Sequence, residues 1–147
     1  EFKPDWIIAI GGGSALDAAK IMWVYYEYPD YDFMKLVNFE FPKLRTKARL
    51  ACIPSTSGTA SEITAFSVIT DTDNHIKYPL VSPDIVPDVA IIDPALPTTM
   101  PDFVTADTGM DIMTHAIEAY VSTAADDYTD PLALHAIRLV MEYLPKA

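Results

Sequence analysis

Trp6-Ile7-Ile8-Ala9-Ile10-Gly11-Gly12-Gly13-Ser14-Ala15-Leu16-Asp17-Ala18-Ala19-Lys20 decides the fold. Five consecutive apolar residues suit a strand buried on both faces of a parallel sheet. Three glycines end that strand, and Ser14 is a good N-cap for a helix running to about Tyr26. The helix is apolar around most of its circumference, so it should be sandwiched between other elements. A glycine-rich turn between strand and helix lets backbone N–H groups approach a phosphate at the positive helix end. The dinucleotide fingerprint G-x-G-x-x-G fails here, because Leu16 stands at its third glycine, and the P-loop pattern fails too. A tight turn that needs glycine for its own sake accounts equally well for Gly11–Gly13.

Outward from this stretch, residues 29–48 read as an irregular, aromatic-rich connector. Leu50–Ile53 is a second short buried strand, stopped by Pro54 and followed by the small-residue loop Ser55–Glu62. Ser67–Thr70 and Ile76–Leu80 form a hairpin around a five-residue loop, and Val89–Ile92 is another buried strand. After Asp93-Pro94 the period becomes helical: 102–122, then 131–144, with Asp130 as cap and Pro131 at the first helical position. The fold class is α/β, a Rossmann-like parallel sheet followed by the start of an all-helical part, with the boundary between 1–94 and 95–147. Two hydroxyl- and glycine-rich loops at successive strand ends favour a ligand at the carboxyl edge of the sheet.

Composition narrows the function classes. Ten Lys and Arg against 21 Asp and Glu give a net charge of −11 over 147 residues. That excess argues against nucleic acid or an anionic membrane as partner, since both demand a basic face. One cysteine, Cys52, suits a reducing cytoplasm and reads as a small core residue. No stretch has the roughly 18 apolar residues of a membrane span. The first residues carry no initiator Met, and the last stop just past a helical pattern, so the chain reads as a piece of a longer one.

Asp111-Ile112-Met113-Thr114-His115 places a carboxylate and an imidazole four residues apart, on one helix face, where they could share a metal ion. Thr108, Thr114, Glu118 and Ser122 extend the same polar stripe, so a solvated face is the competing reading. His75 at a hairpin tip and His135 beside Arg138 and Glu142 read as surface.

Together these segments resemble the iron-containing (group III) alcohol dehydrogenase family. The resemblance rests on Ile8–Lys20, on Pro54–Thr64, on Asp93–Leu96 with Met100-Pro101, and on Thr108–Tyr120, all in the family's order. The segment Ile21–Pro29 is most similar to the alcohol dehydrogenase half of bifunctional aldehyde/alcohol dehydrogenases. The resemblance implies that Gly12, Gly13 and Ser14 cradle the diphosphate of NAD or NADP. It implies that Ser55, Thr56, Thr59 and Thr64 line the cofactor cleft, and that Lys77 reaches a ribose. Asp111 and His115 become two of four ligands to Fe2+, with Zn2+ as an alternative, and no catalytic residue is implied beyond the metal ligands. Asp17 has no assigned role. Two further histidine ligands, and the earlier strand that reads the adenosine ribose, are absent from this sequence. The expected activity is hydride transfer between the nicotinamide and a small alcohol or aldehyde, in a homo-oligomer once the whole protein is present. Alternatives are a glycerol-dehydrogenase-like or dehydroquinate-synthase-like enzyme, or a non-catalytic chain that keeps only the dinucleotide-binding shape.

Overall fold

The computed structural model describes residues 2–147. The chain forms two compact units. One holds the residues up to Ser55 together with Ala60–Leu96, and the other holds Thr56–Thr59 and Pro97–Ala147.

In the first unit, β1 (Trp6–Gly11), β2 (Arg49–Pro54) and β5 (Val89–Ala90) make a parallel sheet in the order β1-β2-β5. Helix α1 (Gly13–Glu27) packs against β1, β2 and the hairpin of β3 (Phe66–Asp71) and β4 (Ile76–Val81). The core gathers Leu16, Trp23 and Val24 of α1 with Leu50 and Cys52 of β2 and Leu80 of β4. Packing on both sides is the sandwiching that an apolar helix requires, although Met22 still faces outward.

Burial corrects two strand expectations. Strand β1 is covered on one face only: Ala9 is buried, whereas Ile8 and Ile10 are 65% and 63% exposed. Strand β5 is two residues long rather than four, and Val89, Ile91 and Ile92 are exposed. Both are edge strands of a sheet whose helix layer lies on one side, so only the central β2 is nearly enclosed. A run of apolar residues reports what a strand can bury, not how many of its faces find a partner.

Local chemistry moves several boundaries. Gly12, not Ser14, is the N-cap of α1, and no side chain caps it. The connector 29–48 contains a short helix, α2 (Phe33–Val37), where Asp32 accepts a hydrogen bond from the Met34 N–H. The hairpin loop is four residues, because Asp71 pairs with Ile76 and its carboxylate accepts from the Asp73 and Asn74 N–H groups.

In the second unit, α3 (Asp102–Val121) packs against α4 (Thr129–Tyr143). Gly109 faces Leu144 just beyond α4, and a Cβ there would require the Leu144 side chain to shift. Helix α4 begins two residues before Pro131, and Asp126 performs the capping expected of Asp130. Its carboxylate accepts from the N–H groups of Tyr128 and Thr129 (2.9 and 2.8 Å). No helix among the described residues is long and apolar enough to cross a membrane.

Candidate functional site

The parallel pairing of β1 and β2 sets Gly11 beside Pro54, and the Ser55 N–H donates to the Gly11 carbonyl at 2.9 Å. The glycine turn and Ser55 therefore leave the same carboxyl edge of the sheet. Gly11 has φ of +156°, and a Cβ there would lie 2.7 Å from the Ala15 Cβ. Glycine is needed because the chain doubles tightly from strand into helix. Gly13 and Ser14 open α1, so their N–H groups have no intrahelical acceptor and carry the positive end of the helix dipole. An anionic group such as a diphosphate matches that arrangement.

Thr64 lies on the segment leading into β3, and Lys77 stands exposed on β4 opposite Thr70. Thr56 and Thr59 belong to the second unit, where a Cβ on Gly58 would sit 2.6 Å from the Thr108 Cβ. The implied cofactor residues are thus divided: Gly12, Gly13, Ser14, Ser55, Thr64 and Lys77 in one unit, Thr56 and Thr59 in the other.

Lys20 and Asp17 of α1 add two charged groups that the motif spacing does not point to. Lys20 is fully buried, and its Nζ donates to Thr64 O (2.9 Å), Thr64 Oγ1 (3.1 Å) and Phe66 O (2.6 Å). Asp17 Oδ2 accepts from the Val68 N–H at 2.9 Å, while its Oδ1 is buried without a hydrogen bond, 3.9 Å from Lys20 Nζ. Burial lowers the Lys20 pKa, and the Asp17 carboxylate opposes that shift. A lysine on the helix side that also carries Leu16, Trp23 and Val24 was the available signal. Cys52 is buried, and desolvation raises its thiol to about 11, so it is a core residue and not a nucleophile.

On α3, His115 Nε2 lies 3.7 Å from Asp111 Oδ1, with the side chains 53% and 40% exposed. Other polar groups of the stripe are occupied locally. Thr108 and Thr114 hydroxyls donate back to the carbonyls of Val104 and Met110, and Ser122 Oγ accepts from the Ala124 N–H. The pair offers one oxygen and one nitrogen donor, a set suited to Fe(II) or Zn(II). Among the described residues no group of three or more His, Cys, Asp or Glu could hold a metal ion. Two donors alone are fewer than the three or four of an ordinary site. His75 stands at the hairpin tip and His135 pairs with Arg138 (3.0 Å), both on the surface. A cavity of about 390 Å³ beside α3 and α4 is walled by residues such as Ile112, Leu139 and Val140, with no side-chain carboxylate, imidazole or thiol.

Residues 1–94 match the protein family described as iron-containing alcohol dehydrogenase. Residues 105–147 match the C-terminal part of the same family. The chain is 57% identical over 148 residues to an NADPH-dependent butanol dehydrogenase of Clostridium saccharobutylicum, covering 100% of this chain and 38% of that protein. It is also 57% identical over 152 residues to an aldehyde-alcohol dehydrogenase of Streptococcus pneumoniae, covering 97% of this chain and 17% of that one. Among solved structures, the iron-containing alcohol dehydrogenase of Thermococcus thioreducens matches with a TM-score of 0.88 at 41% identity, over 98% of this chain and 39% of the other. The sulfoacetaldehyde reductase of Bifidobacterium kashiwanohense, in complex with NAD+, matches with a TM-score of 0.89 at 36% identity, over 97% and 38%. The chain therefore spans less than two fifths of each of these relatives.

Proposed function

The chain belongs to the iron-containing alcohol dehydrogenase family, and from that premise we propose that it binds NAD or NADP and contributes to hydride transfer with a small alcohol or aldehyde. The observation that carries this reading is the uncapped N-terminus of α1, set at the carboxyl edge of the parallel strands. Residues 1–94 serve a dinucleotide-binding domain and residues 95–147 a helical metal-binding domain. Gly12, Gly13 and Ser14 hold the diphosphate through N–H groups and a hydroxyl. Ser55, Thr56, Thr59 and Thr64 line the cofactor cleft, and Lys77 meets a ribose. Asp111 and His115 supply two donors to Fe2+ or Zn2+, and the remaining donors lie outside the described residues. A bound metal supplies Lewis-acid polarisation of the substrate oxygen. The chain's own work is alignment: the glycine turn would hold the diphosphate and so help to orient the nicotinamide toward the substrate. Relatives named for NADPH and bound to NAD+ support either cofactor. The reading also places the protein in the cytoplasm, as a homo-oligomer.

Backbone hydrogen exchange tests the assignment. Adding NADH or NADPH should slow exchange at Gly12–Leu16 and leave the β3–β4 loop unchanged. Equal protection everywhere, or none in the glycine turn, would remove that turn from the site.

A further inference from the structure

Lys20 places a whole ammonium group inside the first unit, with no exposed surface. A buried charge is costly unless its donors are satisfied, and here all three N–H bonds have acceptors: Thr64 O, Thr64 Oγ1 and Phe66 O. Two of the three acceptors belong to one residue. An ammonium can only donate, so Thr64 Oγ1 must receive, and the threonine's own proton points elsewhere. No other hydrogen bond of the Thr64 hydroxyl is found among the described residues, and Thr64 is only half-buried.

We propose that Lys20 is a positioning residue that fixes the polarity of the Thr64 hydroxyl, making Thr64 an outward donor to an oxygen of the bound nicotinamide cofactor. The inference rests on the cofactor reading of Thr64 and goes beyond it by naming the residue that makes the hydroxyl a donor. The same contacts tie α1, whose N-terminus receives the diphosphate, to the segment that carries Thr64. Asp17 completes the link. Its Oδ2 accepts from Val68, its carbonyl accepts from the Ser67 hydroxyl (2.9 Å), and its other oxygen faces the ammonium. Removing the ammonium frees the Thr64 hydroxyl to turn onto a nearby carbonyl and withdraw its proton from the ligand.

The test is a double-mutant cycle on the 147-residue chain, read by NADH fluorescence titration, with thermal melting and circular dichroism to confirm folding. Lys20→Met and Thr64→Val should each weaken NADH by about 5- to 10-fold, the size of one well-placed hydrogen bond. The double variant should be no weaker than either single one, because both remove the same bond. Thr64→Ser should bind like the unsubstituted chain. If Lys20→Met does not fold, Lys20→Gln, whose two amide N–H donors can serve the Thr64 and Phe66 carbonyls, takes its place in the cycle. A folded Lys20 variant with unchanged affinity, or additive losses in the double variant, overturns the positioning role while the cofactor reading stands. An unchanged affinity in Thr64→Val, or no NADH binding by the unsubstituted chain, defeats the cofactor reading of Thr64 and this inference with it.

Discussion

At the scale of single residues, the exposed carboxylate and imidazole on α3 set what a metal ion would meet. The i, i+4 rule sets Asp111 and His115 on one face of α3, and they lie 3.7 Å apart. The same rule groups them with Thr108 and Thr114, whose hydroxyls turn back onto the helix backbone. Hydrogen-bond direction is not encoded in a spacing, so the stripe read as more polar than it is. Lys20 and Asp17 were legible as letters of the glycine-rich segment, but their burial depends on a hairpin some 50 residues away in sequence. If Asp111 and His115 accept a metal, titrating Fe(II) under anaerobic conditions should selectively broaden the His115 ring resonances. Asp111→Asn should abolish that broadening without moving stability by more than about 0.5 kcal/mol. Uniform broadening of all three histidines would favour a plain solvated face.

At the scale of elements, the helices were the easiest to read and the edge strands the hardest. A glycine turn, three alanines with Leu16, and a tryptophan define α1 whatever surrounds it. Exposure of β1 and β5 follows instead from which strands lie beside them, which the sequence of either strand does not contain. The far end of α1 carries a second buried charge. Glu27 accepts from Trp23 Nε1 (3.1 Å), from the Thr46 hydroxyl (2.7 Å) and from the N–H groups of Thr46, Lys47 and Ala48. Those bonds draw the residues just ahead of β2 onto the helix. Burial by itself would raise the Glu27 pKa, but the Thr46 hydroxyl and the three N–H groups outweigh it and hold the carboxyl near 2, below its ordinary 4.5. A depressed carboxylate stabilises the fold above its unfolded pKa, and this contribution disappears as pH falls through the folded one. Glu27→Gln should therefore lower unfolding free energy most at pH 7, and the gap to the unsubstituted chain should close between about pH 4.5 and 2. Urea unfolding at stepped pH checks this, and a gap independent of pH would refute it.

At the scale of the whole molecule, the order of four modest motifs was more informative than any one of them. Each admits a bland explanation alone, and together they resembled the family that residues 1–94 and 105–147 match. With no group of three or more His, Cys, Asp or Glu among the described residues able to hold a metal, the 147-residue chain should show no alcohol-dependent NAD(P)H production. Apolar side chains such as Ile8, Ile10, Phe103, Val121 and Leu132 are more than 60% exposed, a surface that invites association. Sedimentation velocity should show self-association that grows with concentration, and an active, monodisperse monomer would contradict both expectations. The central claim is that the turn after β1 holds the cofactor diphosphate, and Gly13→Val tests it most directly. Its side chain would stand among the first N–H groups of α1 and keep the diphosphate from them. An NADH fluorescence titration should give saturable binding by the unsubstituted chain and a loss of about 10-fold or more in the folded Gly13→Val variant. Equal affinity in the two folded proteins would contradict the account.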